Sequence, residues 1–274
     1  MKVRTIKILK LLFLLIITLL AIIPFIWVLI SSFKTNGEIL ESALSLPKHI
    51  NFQGYIDAFK TSPLLSYYWN SIIIAVSGTV LNTFIVGMAA YVLARFDFKL
   101  NKPILLIFSL SLLIPFTALI LPTFMIVKNI GLYDKRIGLI LVYMALGLPT
   151  TLYILRSYFL SIPKEIEEAS YIDGGNFFKT YIKIIIPIAK PGFATAAVLQ
   201  FLLCWNEFLY ALVLTNSSKV RTVPLAINYF LSQFSFDYRA LFAAIVIINI
   251  PSILSFVILQ EQVVDSLAAG SVKG

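Results

Sequence analysis

Six apolar runs, each about twenty residues long, constrain the fold of this chain more than any other feature. In order along the sequence they cover residues 11–30, 69–94, 104–127, 137–157, 191–214 and 240–259. The start of the fifth run is blurred, because residues 182–188 just before it are also apolar. A helix needs about 20 apolar residues to cross a hydrocarbon core about 30 Å thick. The runs therefore predict an all-α polytopic membrane protein with about six transmembrane helices.

The composition agrees with a membrane protein and argues against a soluble one. Of the 274 residues, 59% are hydrophobic and only 13% are charged, whereas a soluble domain carries about 25% charged residues. The net charge of +9 comes from Lys and Arg that cluster beside the apolar runs, which is typical of juxtamembrane anchoring. Basic blocks with interleaved aromatic residues are missing from the sequence, so we expect a lipid bilayer and no nucleic acid as partner.

The first apolar run follows a basic segment, residues 1–10, which holds four Lys or Arg residues. The run is longer than the apolar region of a signal peptide, about 7–15 residues, and no small-residue cleavage site follows it. We therefore interpret it as a retained span. With the N-terminus in the cytoplasm, 13 of the 22 Lys and Arg lie on that side, and the bias is strongest around the first span. This predicts that both termini and the segment between the fourth and fifth runs face the cytoplasm.

The sequence offers little material for catalysis or metal binding. Cys204 and His49 are its one cysteine and its one histidine, which excludes disulfide frameworks and Cys/His metal sites. The pattern G-x-x-x-x-G-K-[ST], whose backbone cradles nucleotide phosphates, is absent as well. We expect that the chain is not an enzyme and that it holds no metal or cofactor.

The stretch at residues 161–190, SIPKEIEEASYIDGGNFFKTYIKIIIPIAK, concentrates polar chemistry between two apolar runs. Ser161 is the expected N-cap of a first helix, whose early glutamates suit the positive end of the helix dipole. Gly174 is expected to end this helix in the left-handed conformation, and Asn176 to cap a second helix. Ile162, Ile166, Ala169 and the pair Ile172/Asp173 fall at helical spacing and give one side of the first helix a narrow apolar stripe. Such a helix–glycine turn–helix unit either packs on its own bundle or docks another protein.

One pattern in this stretch resembles a family motif. Glu168-Ala169-Ser170, three residues, Gly174, nine residues and then Ile184-x-Ile186-Pro187 follow one another. This order is similar to the EAA motif of the membrane-spanning subunits of ATP-binding-cassette (ABC) importers, which reads E-A-A, three residues, G, nine residues and I-x-L-P. Ser170 and Ile186 are small departures from it. We refer to residues 161–190 as the EAA loop.

Other stretches resemble the carbohydrate-type branch of that family, in its second, maltose-permease-like subunit. They are SFKTNGEI (32–39), WNS (69–71), AYVLARFDF (90–98), GLILVY (138–143), LRSYFLSIPKEIEEASYIDG (155–174), WNEFLYALVL (205–214) and AAGSVKG (268–274). The resemblance thus covers nearly the whole chain. It implies the type I ABC importer transmembrane fold over residues 11–260, between a cytoplasmic N-terminal segment (1–10) and a cytoplasmic tail (261–274).

The resemblance also implies a function and a set of partners. It implies a permease subunit in a bacterial or archaeal cell membrane, paired with a second homologous permease subunit. Together the two form the path for a sugar or oligosaccharide that an extracytoplasmic solute-binding protein delivers. Two separate ABC ATPases attach through the EAA loop, and ATP and Mg are expected on those ATPases.

The EAA loop carries the residues that the resemblance implies for ATPase coupling. They are Glu168, Ala169, Ser170, Asp173, Gly174 and Pro187. We expect Glu168 to make a charge-assisted hydrogen bond with the ATPase or a backbone amide, and Ala169 and Ser170 to allow close docking. Asp173 is expected to cap or pair locally, and Glu165 and Glu167 are expected to face water.

Polar and aromatic side chains within the apolar runs are candidates for the substrate path, because polar groups at membrane depth are costly. The candidates are Asn82, Gln200, Trp205, Asn206, Glu207, Tyr210 and Asn249. Hydrogen bonds to sugar hydroxyls and stacking on aromatic rings suit such a set. Hydrogen bonds between helices explain Asn82, Gln200 and Asn249 equally well. Kinks are predicted at Pro115, Pro122 and Pro251.

Alternative functions differ in what else they require of the sequence. An ABC importer for another solute, such as a polyol or glycerol phosphate, fits the same motifs. An ion-coupled secondary transporter predicts an inverted repeat with buried ionisable residues in both halves, and the sequence shows neither. A membrane enzyme needs clustered acids or histidines, and a pure scaffold has no need of the spaced loop pattern.

Overall fold

The computed structural model describes residues 2–230 and 237–271, with side chains placed for residues 6–230, 237–258 and 260. In these ranges the regular elements are helices: α1 Lys2–Ser31, α2 Asn36–Glu41, α3 Gln53–Thr61, α4 Leu64–Arg95, α5 Asn101–Ser111, α6 Ile120–Asn129, α7 Arg136–Leu146, α8 Leu148–Ser161, α9 Glu165–Ile172, α10 Phe177–Thr180, α11 Ile186–Ile188, α12 Lys190–Asn206, α13 Leu209–Leu214 and α14 Tyr238–Ser271. Two 3₁₀ turns, Phe116–Leu119 and Val223–Tyr229, and one π-helical turn, Tyr181–Ile185, complete them.

The described residues hold three straight helices that are long and apolar enough to cross a membrane, at Ile6–Ser31, Leu64–Arg95 and Tyr238–Ile258. Three further candidate spans are bent pairs. They are Asn101–Ser111 with Phe116–Asn129 at 96°, Arg136–Leu146 with Leu148–Ser161 at 49°, and Phe177–Ile188 with Lys190–Asn206 at 78°. With each pair taken as one span, the prediction of six spans and an all-α fold is confirmed.

Proline explains the sharpest of these bends. Pro115 lies in the break between α5 and the following 3₁₀ turn, as the predicted kink there requires, since proline cannot donate the backbone bond of a continuing helix. Pro122 and Pro251 instead lie inside α6 and α14, which the structure describes as continuous helices. The predicted tail also continues α14 as far as Ser271, and residues 272–274 lie outside the described residues.

One of two compact units combines residues 1–65 with 226–250. Lys34 is fully buried there and donates from Nζ to the carbonyls of Ser42 and Ala43, both at 3.2 Å. Arg239 pairs with Asp57 at 2.6 Å. These bonds fold the segment between α1 and α4 into a defined structure.

The other unit, residues 66–225 with 251–274, contains the EAA loop. An aromatic cluster centred on Tyr91 of α4 packs beneath this loop. The Tyr91 ring stacks on Tyr181 at 4.9 Å and meets Phe159 and Phe177 edge-on or tilted, both at 5.5 Å. Ile162 and Ile166 of the loop join the same cluster. The apolar packing therefore holds the EAA loop against the ends of α4 and α8.

Candidate functional site: the EAA loop

The first helix of the EAA loop ends in a glycine turn, as predicted. Gly174 has φ +76°, in the left-handed region that favours glycine. Its N–H donates to the Tyr171 carbonyl at 3.1 Å, and the N–H of Gly175 donates to the Ser170 carbonyl at 2.8 Å. These two bonds form a Schellman motif, which satisfies the last carbonyls of α9. The turn thus ends the helix at a fixed residue.

The caps at the helix starts were predicted with mixed success. Asn176 does cap α10, because its Oδ1 accepts from the Lys179 N–H at 2.9 Å. The prediction that Ser161 caps the first helix is wrong. Ser161 is the last residue of α8, and its hydroxyl donates to the Tyr158 carbonyl at 2.7 Å. Helix α9 begins after Lys164, without a side-chain cap.

One face of α9 is open to the surroundings. Glu168 and Ala169 are exposed, and Ile172 is 86% exposed. Asp173 is exposed as well and caps the helix through its backbone N–H, which donates to the Ala169 carbonyl at 3.0 Å. This face presents a carboxylate, a small residue and a large apolar side chain side by side.

The opposite face of α9 is buried, and two predictions about it are wrong. Glu167, expected to face water, is only 7% exposed, and so is Ser170, expected on the docking face. The Ser170 hydroxyl is 2.8 Å from that of Thr180 at the end of α10. Ser170 therefore ties the two helices of the loop together and is not available to a partner.

Glu167 is held by two side chains of α4. Its Oε2 accepts from the Tyr91 hydroxyl at 2.8 Å, and its Oε1 lies 2.5 Å from Nε of Arg95. The second contact is an ion pair without the alignment of a hydrogen bond. Arg95 also donates from Nη2 to the Ile162 carbonyl at 2.9 Å, just before α9. Arg95 therefore bridges the entrance of the EAA loop and its first helix. We refer to Tyr91, Arg95 and Glu167 as the α4 clasp.

The α4 clasp lies in a dry environment. The side chains of Arg95 and Glu167 are 4% and 9% exposed, so water screens their attraction only weakly. The sequence carries no local signal for this pairing, because Tyr91 and Glu167 are 76 residues apart. From the sequence alone, the position of Arg95 at the end of an apolar run is equally typical of a juxtamembrane cation without a buried partner.

The second half of the EAA loop leads into α12. After Thr180 the chain passes through the π-helical turn and α11, where Pro187 is exposed. The Ala189 N–H donates to the Ile185 carbonyl at 2.8 Å, and the chain then bends by 78° into α12. This path from α9 to α12 is helical except for the turn around Gly174 and the break at Ala189.

Two candidate path residues, Asn82 of α4 and Gln200 of α12, hold backbone carbonyls of α7. Both side chains are buried. Asn82 donates from Nδ2 to the Met144 carbonyl at 2.7 Å, and Gln200 donates from Nε2 to the Tyr143 carbonyl at 2.8 Å. These carbonyls lie just before the break between α7 and α8 at Gly147. A Cβ on Gly147 would lie 1.5 Å from Oε1 of Gln200, so the side chain fits only because that residue is glycine. The interhelical role is thus the one that the structure supports for both amides.

Glu207 interrupts the predicted fifth span. The backbone is extended at this residue, between α12 and α13. Its Oε1 accepts from the Tyr210 N–H at 2.8 Å, and its Oε2 accepts from the Ala211 N–H at 2.9 Å and from the Tyr143 hydroxyl at 2.8 Å. The carboxylate therefore starts α13 in the way that an N-cap does, by satisfying the first free N–H groups of a helix.

The remaining candidate path residues fall into three environments. Trp205 and Tyr210 are each 1% exposed, and the Tyr210 hydroxyl donates to the Phe116 carbonyl at 2.7 Å. Asn206 is exposed and, with Glu207, lines a cavity of about 370 Å³. Asn249, in α14, is half-buried and donates to the Ile245 carbonyl of its own helix at 2.8 Å. Tyr210 lines a second cavity, of about 540 Å³, so Asn206, Glu207 and Tyr210 are candidates that the structure places at cavities.

Comparison with known proteins identifies the family. Residues 83–268 match the family model described as "Binding-protein-dependent transport system inner membrane component". The diacetylchitobiose uptake system permease protein NgcG of Streptomyces coelicolor is 38% identical over 256 residues, covering 93% of this chain and 85% of that protein. The trehalose transport system permease protein SugB of Mycobacterium tuberculosis is 35% identical over 256 residues, covering 93% of each chain.

A solved structure shares the fold. One chain of a bacterial ABC transporter involved in the import of the acidic polysaccharide alginate superposes with a TM-score of 0.83 at 23% sequence identity. The match covers 94% of this chain and 96% of that chain. The expected ABC importer transmembrane fold is therefore confirmed.

Proposed function

The chain belongs to the family of binding-protein-dependent transport system inner membrane components, and on that premise we propose that it is the permease subunit of a sugar or oligosaccharide importer that docks a separate ATPase through the EAA loop. It is a multi-pass membrane protein and a transport permease. In the proposed orientation both termini and the EAA loop face the cytoplasm, and a second, homologous permease subunit completes the path.

The observation that carries this proposal is the two-sided construction of α9. Its outer face exposes Glu168, Ala169 and Ile172, while its inner face is fixed by Glu167 and Ser170. A helix that served only to cover its own bundle would bury its large apolar side chain, yet Ile172 is 86% exposed. A rigidly mounted helix with an unburied apolar residue suits docking into a partner's cleft.

Energy for transport comes, in this proposal, from the docked partner. The sequence contains no phosphate-binding P-loop, so ATP and Mg bind to the ATPase and not to this chain. Closure of two ATPases would move the EAA loops of both permease subunits, and α9 would pass that movement to the spans.

The substrate class rests on the relatives. NgcG and SugB are named for the uptake of diacetylchitobiose and trehalose, both disaccharides. In this chain, Asn206 and Glu207 line the cavity of about 370 Å³ with mostly apolar neighbours, among them Phe116 and Phe208. Polar groups beside aromatic rings suit a sugar, which offers hydroxyls and an apolar ring face.

The docking claim is tested with substitutions on the exposed face of α9. The chain is purified from its own membranes with a tag, and the ATP hydrolysis that co-elutes is measured. Glu168→Lys and Ile172→Ala are expected to remove most of this activity, and Gly174→Pro is expected to do the same by breaking the turn. Lys179→Gln, at an exposed position of α10, is the control. Full retention of the ATPase by all three variants would contradict the docking role.

The substrate claim is tested by uptake. Cells with and without the chain are given radiolabelled trehalose, maltose, diacetylchitobiose and glycerol phosphate in turn. The proposal predicts that the uptake of at least one of the three sugars depends on the chain. Dependence of glycerol phosphate uptake alone would favour the other solute class.

A further inference from the structure

We infer that α4 transmits movement from the docked ATPase to the spans, as a second arm of coupling beside α12. Glu167 and Arg95 are positioning residues that attach this second arm to the EAA loop. The inference rests on the proposed function, because it concerns how the movement of a docked α9 spreads through the permease. The EAA motif points to a route from the loop through its second helix into α12. The α4 clasp provides another route, which enters a different span.

The α4 clasp grips the EAA loop at two places at once. Arg95 contacts the Ile162 carbonyl before α9 and the Glu167 carboxylate within α9. Tyr91, one turn earlier in α4, donates to the other oxygen of that carboxylate. A displacement of α9 must therefore either break these bonds or carry the end of α4 with it.

The chemistry of the clasp favours a role in geometry over one in stability. Burying two ions removes their water, so a buried ion pair gains little free energy over well-packed apolar side chains of similar size. An apolar contact tolerates sliding, whereas a guanidinium that bridges a carboxylate and a carbonyl fixes the positions of both. The pair thus suits a joint that must transmit movement.

Both arms lead to the same place in the molecule. Asn82 of α4 and Gln200 of α12 donate to adjacent carbonyls, those of Met144 and Tyr143, at the break before Gly147. Leu146, the last residue before this break, lines the cavity of about 370 Å³. The two arms therefore meet at a bent span that forms a wall of that cavity, where a change in the bend alters the cavity's shape.

Two neighbouring glutamates make the test sharp. In the purified complex reconstituted into vesicles with its binding protein, three quantities are measured: bound ATPase, ATP hydrolysis and sugar transported. Glu168→Gln is expected to lose the bound ATPase. Glu167→Gln is expected to keep the ATPase and its hydrolysis, while sugar transported per ATP hydrolysed falls about tenfold, a typical size for a coupling effect. Lys179→Gln, at an exposed position of α10, is expected to match the unchanged chain in all three.

A role limited to folding does not change the ratio of transport to hydrolysis, because misfolded complexes lose both together. Arg95→Lys is the second variant, which decides the question if Glu167→Gln yields no folded permease. It keeps the charge but loses the fork that reaches Ile162 and Glu167 together, and the same fall in the ratio is expected.

The inference is overturned if the variant that folds keeps the full ratio, or if a folded Glu167→Gln permease loses the ATPase as Glu168→Gln does. Failure of the proposed function looks different, because Glu168→Gln itself would then retain the ATPase.

Discussion

Two buried glutamates, Glu167 in the EAA loop and Glu207 between α12 and α13, have similar surroundings but differ in the partners that complete their contacts. Each accepts a hydrogen bond from a tyrosine on a neighbouring helix, Tyr91 or Tyr143, at 2.8 Å. Glu167 completes its contacts with the guanidinium of Arg95. Glu207 completes its contacts with the backbone N–H groups that open the helix after it.

The different partners give the two glutamates different roles: Glu167 joins two segments of the chain, and Glu207 caps a helix locally. The partners of Glu167 belong to a span distant in sequence, so its carboxylate ties a loop to that span. Two of the three bonds to the Glu207 carboxylate come from N–H groups within four residues, and the third comes from Tyr143 of α7. This carboxylate therefore shapes a break inside one span. We therefore expect changes at Glu167 to alter the coupling of transport and changes at Glu207 to alter stability.

The largest effect on stability is expected from Arg95→Leu, because it leaves the Glu167 carboxylate buried without its counter-ion. The expected loss is about 3–5 kcal/mol of unfolding free energy, measured by denaturant unfolding of the purified chain in detergent. The double variant Arg95→Leu with Glu167→Leu is the control, and it is expected to recover most of the loss. Equal losses in the single and double variants would show that Glu167 carries no uncompensated charge.

Glu207→Gln is expected to lower the unfolding free energy by about 1–3 kcal/mol. The amide replaces one acceptor oxygen with an NH₂ group, which faces an N–H or a hydroxyl that needs an acceptor. Asn206→Ala, at the exposed neighbouring position, is the control and is expected to change stability by under about 0.5 kcal/mol. An unchanged unfolding free energy in Glu207→Gln would contradict the capping role.

The sequence predicted the number and the ends of the helices better than it predicted the burial and the partners of these two carboxylates. The number of spans follows from the length of apolar runs, and Gly174 and Asn176 follow from local backbone chemistry. The apolar stripe of the first helix was predicted from spacing alone, and the structure divides it. Ile162 and Ile166 pack in the aromatic cluster, Ala169 and Ile172 are exposed, and Glu167 points inward. A buried glutamate needs a partner from another helix, and no local pattern reveals which cation supplies it.

Gly174→Ala tests how much the glycine turn that ends α9, the helix of Glu167, contributes to the unfolding free energy. An alanine at φ +76° is expected to cost about 1–2 kcal/mol of unfolding free energy, although nothing lies within 4 Å of the added Cβ. Gly174→Asn is expected to cost less, since asparagine adopts the left-handed conformation more readily. The same unfolding assay measures both, and equal losses in the two variants would show that the left-handed conformation does not set the cost at this site.

The smallest and most closely matched test removes the two tyrosine hydroxyls. Tyr91→Phe and Tyr143→Phe each delete one hydrogen bond to a carboxylate and leave the ring in place, at a cost of about 1 kcal/mol of unfolding free energy. Thermal unfolding should therefore shift similarly in both variants. Only Tyr91→Phe is expected to lower the sugar transported per ATP, and an equal fall in Tyr143→Phe would remove the distinction between the two sites.

Cysteine labelling of α9 tests most directly the central claim that this helix is docked by one face and anchored by the other. In a Cys204→Ser background, Ile172→Cys and Ser170→Cys are treated with a membrane-impermeant maleimide in inside-out vesicles, with and without the ATPase. We predict that position 172 reacts rapidly without the ATPase and is protected when the ATPase is bound, while position 170 stays unreactive in both. Equal labelling of position 172 with and without the ATPase, or labelling only in right-side-out vesicles, would contradict the account.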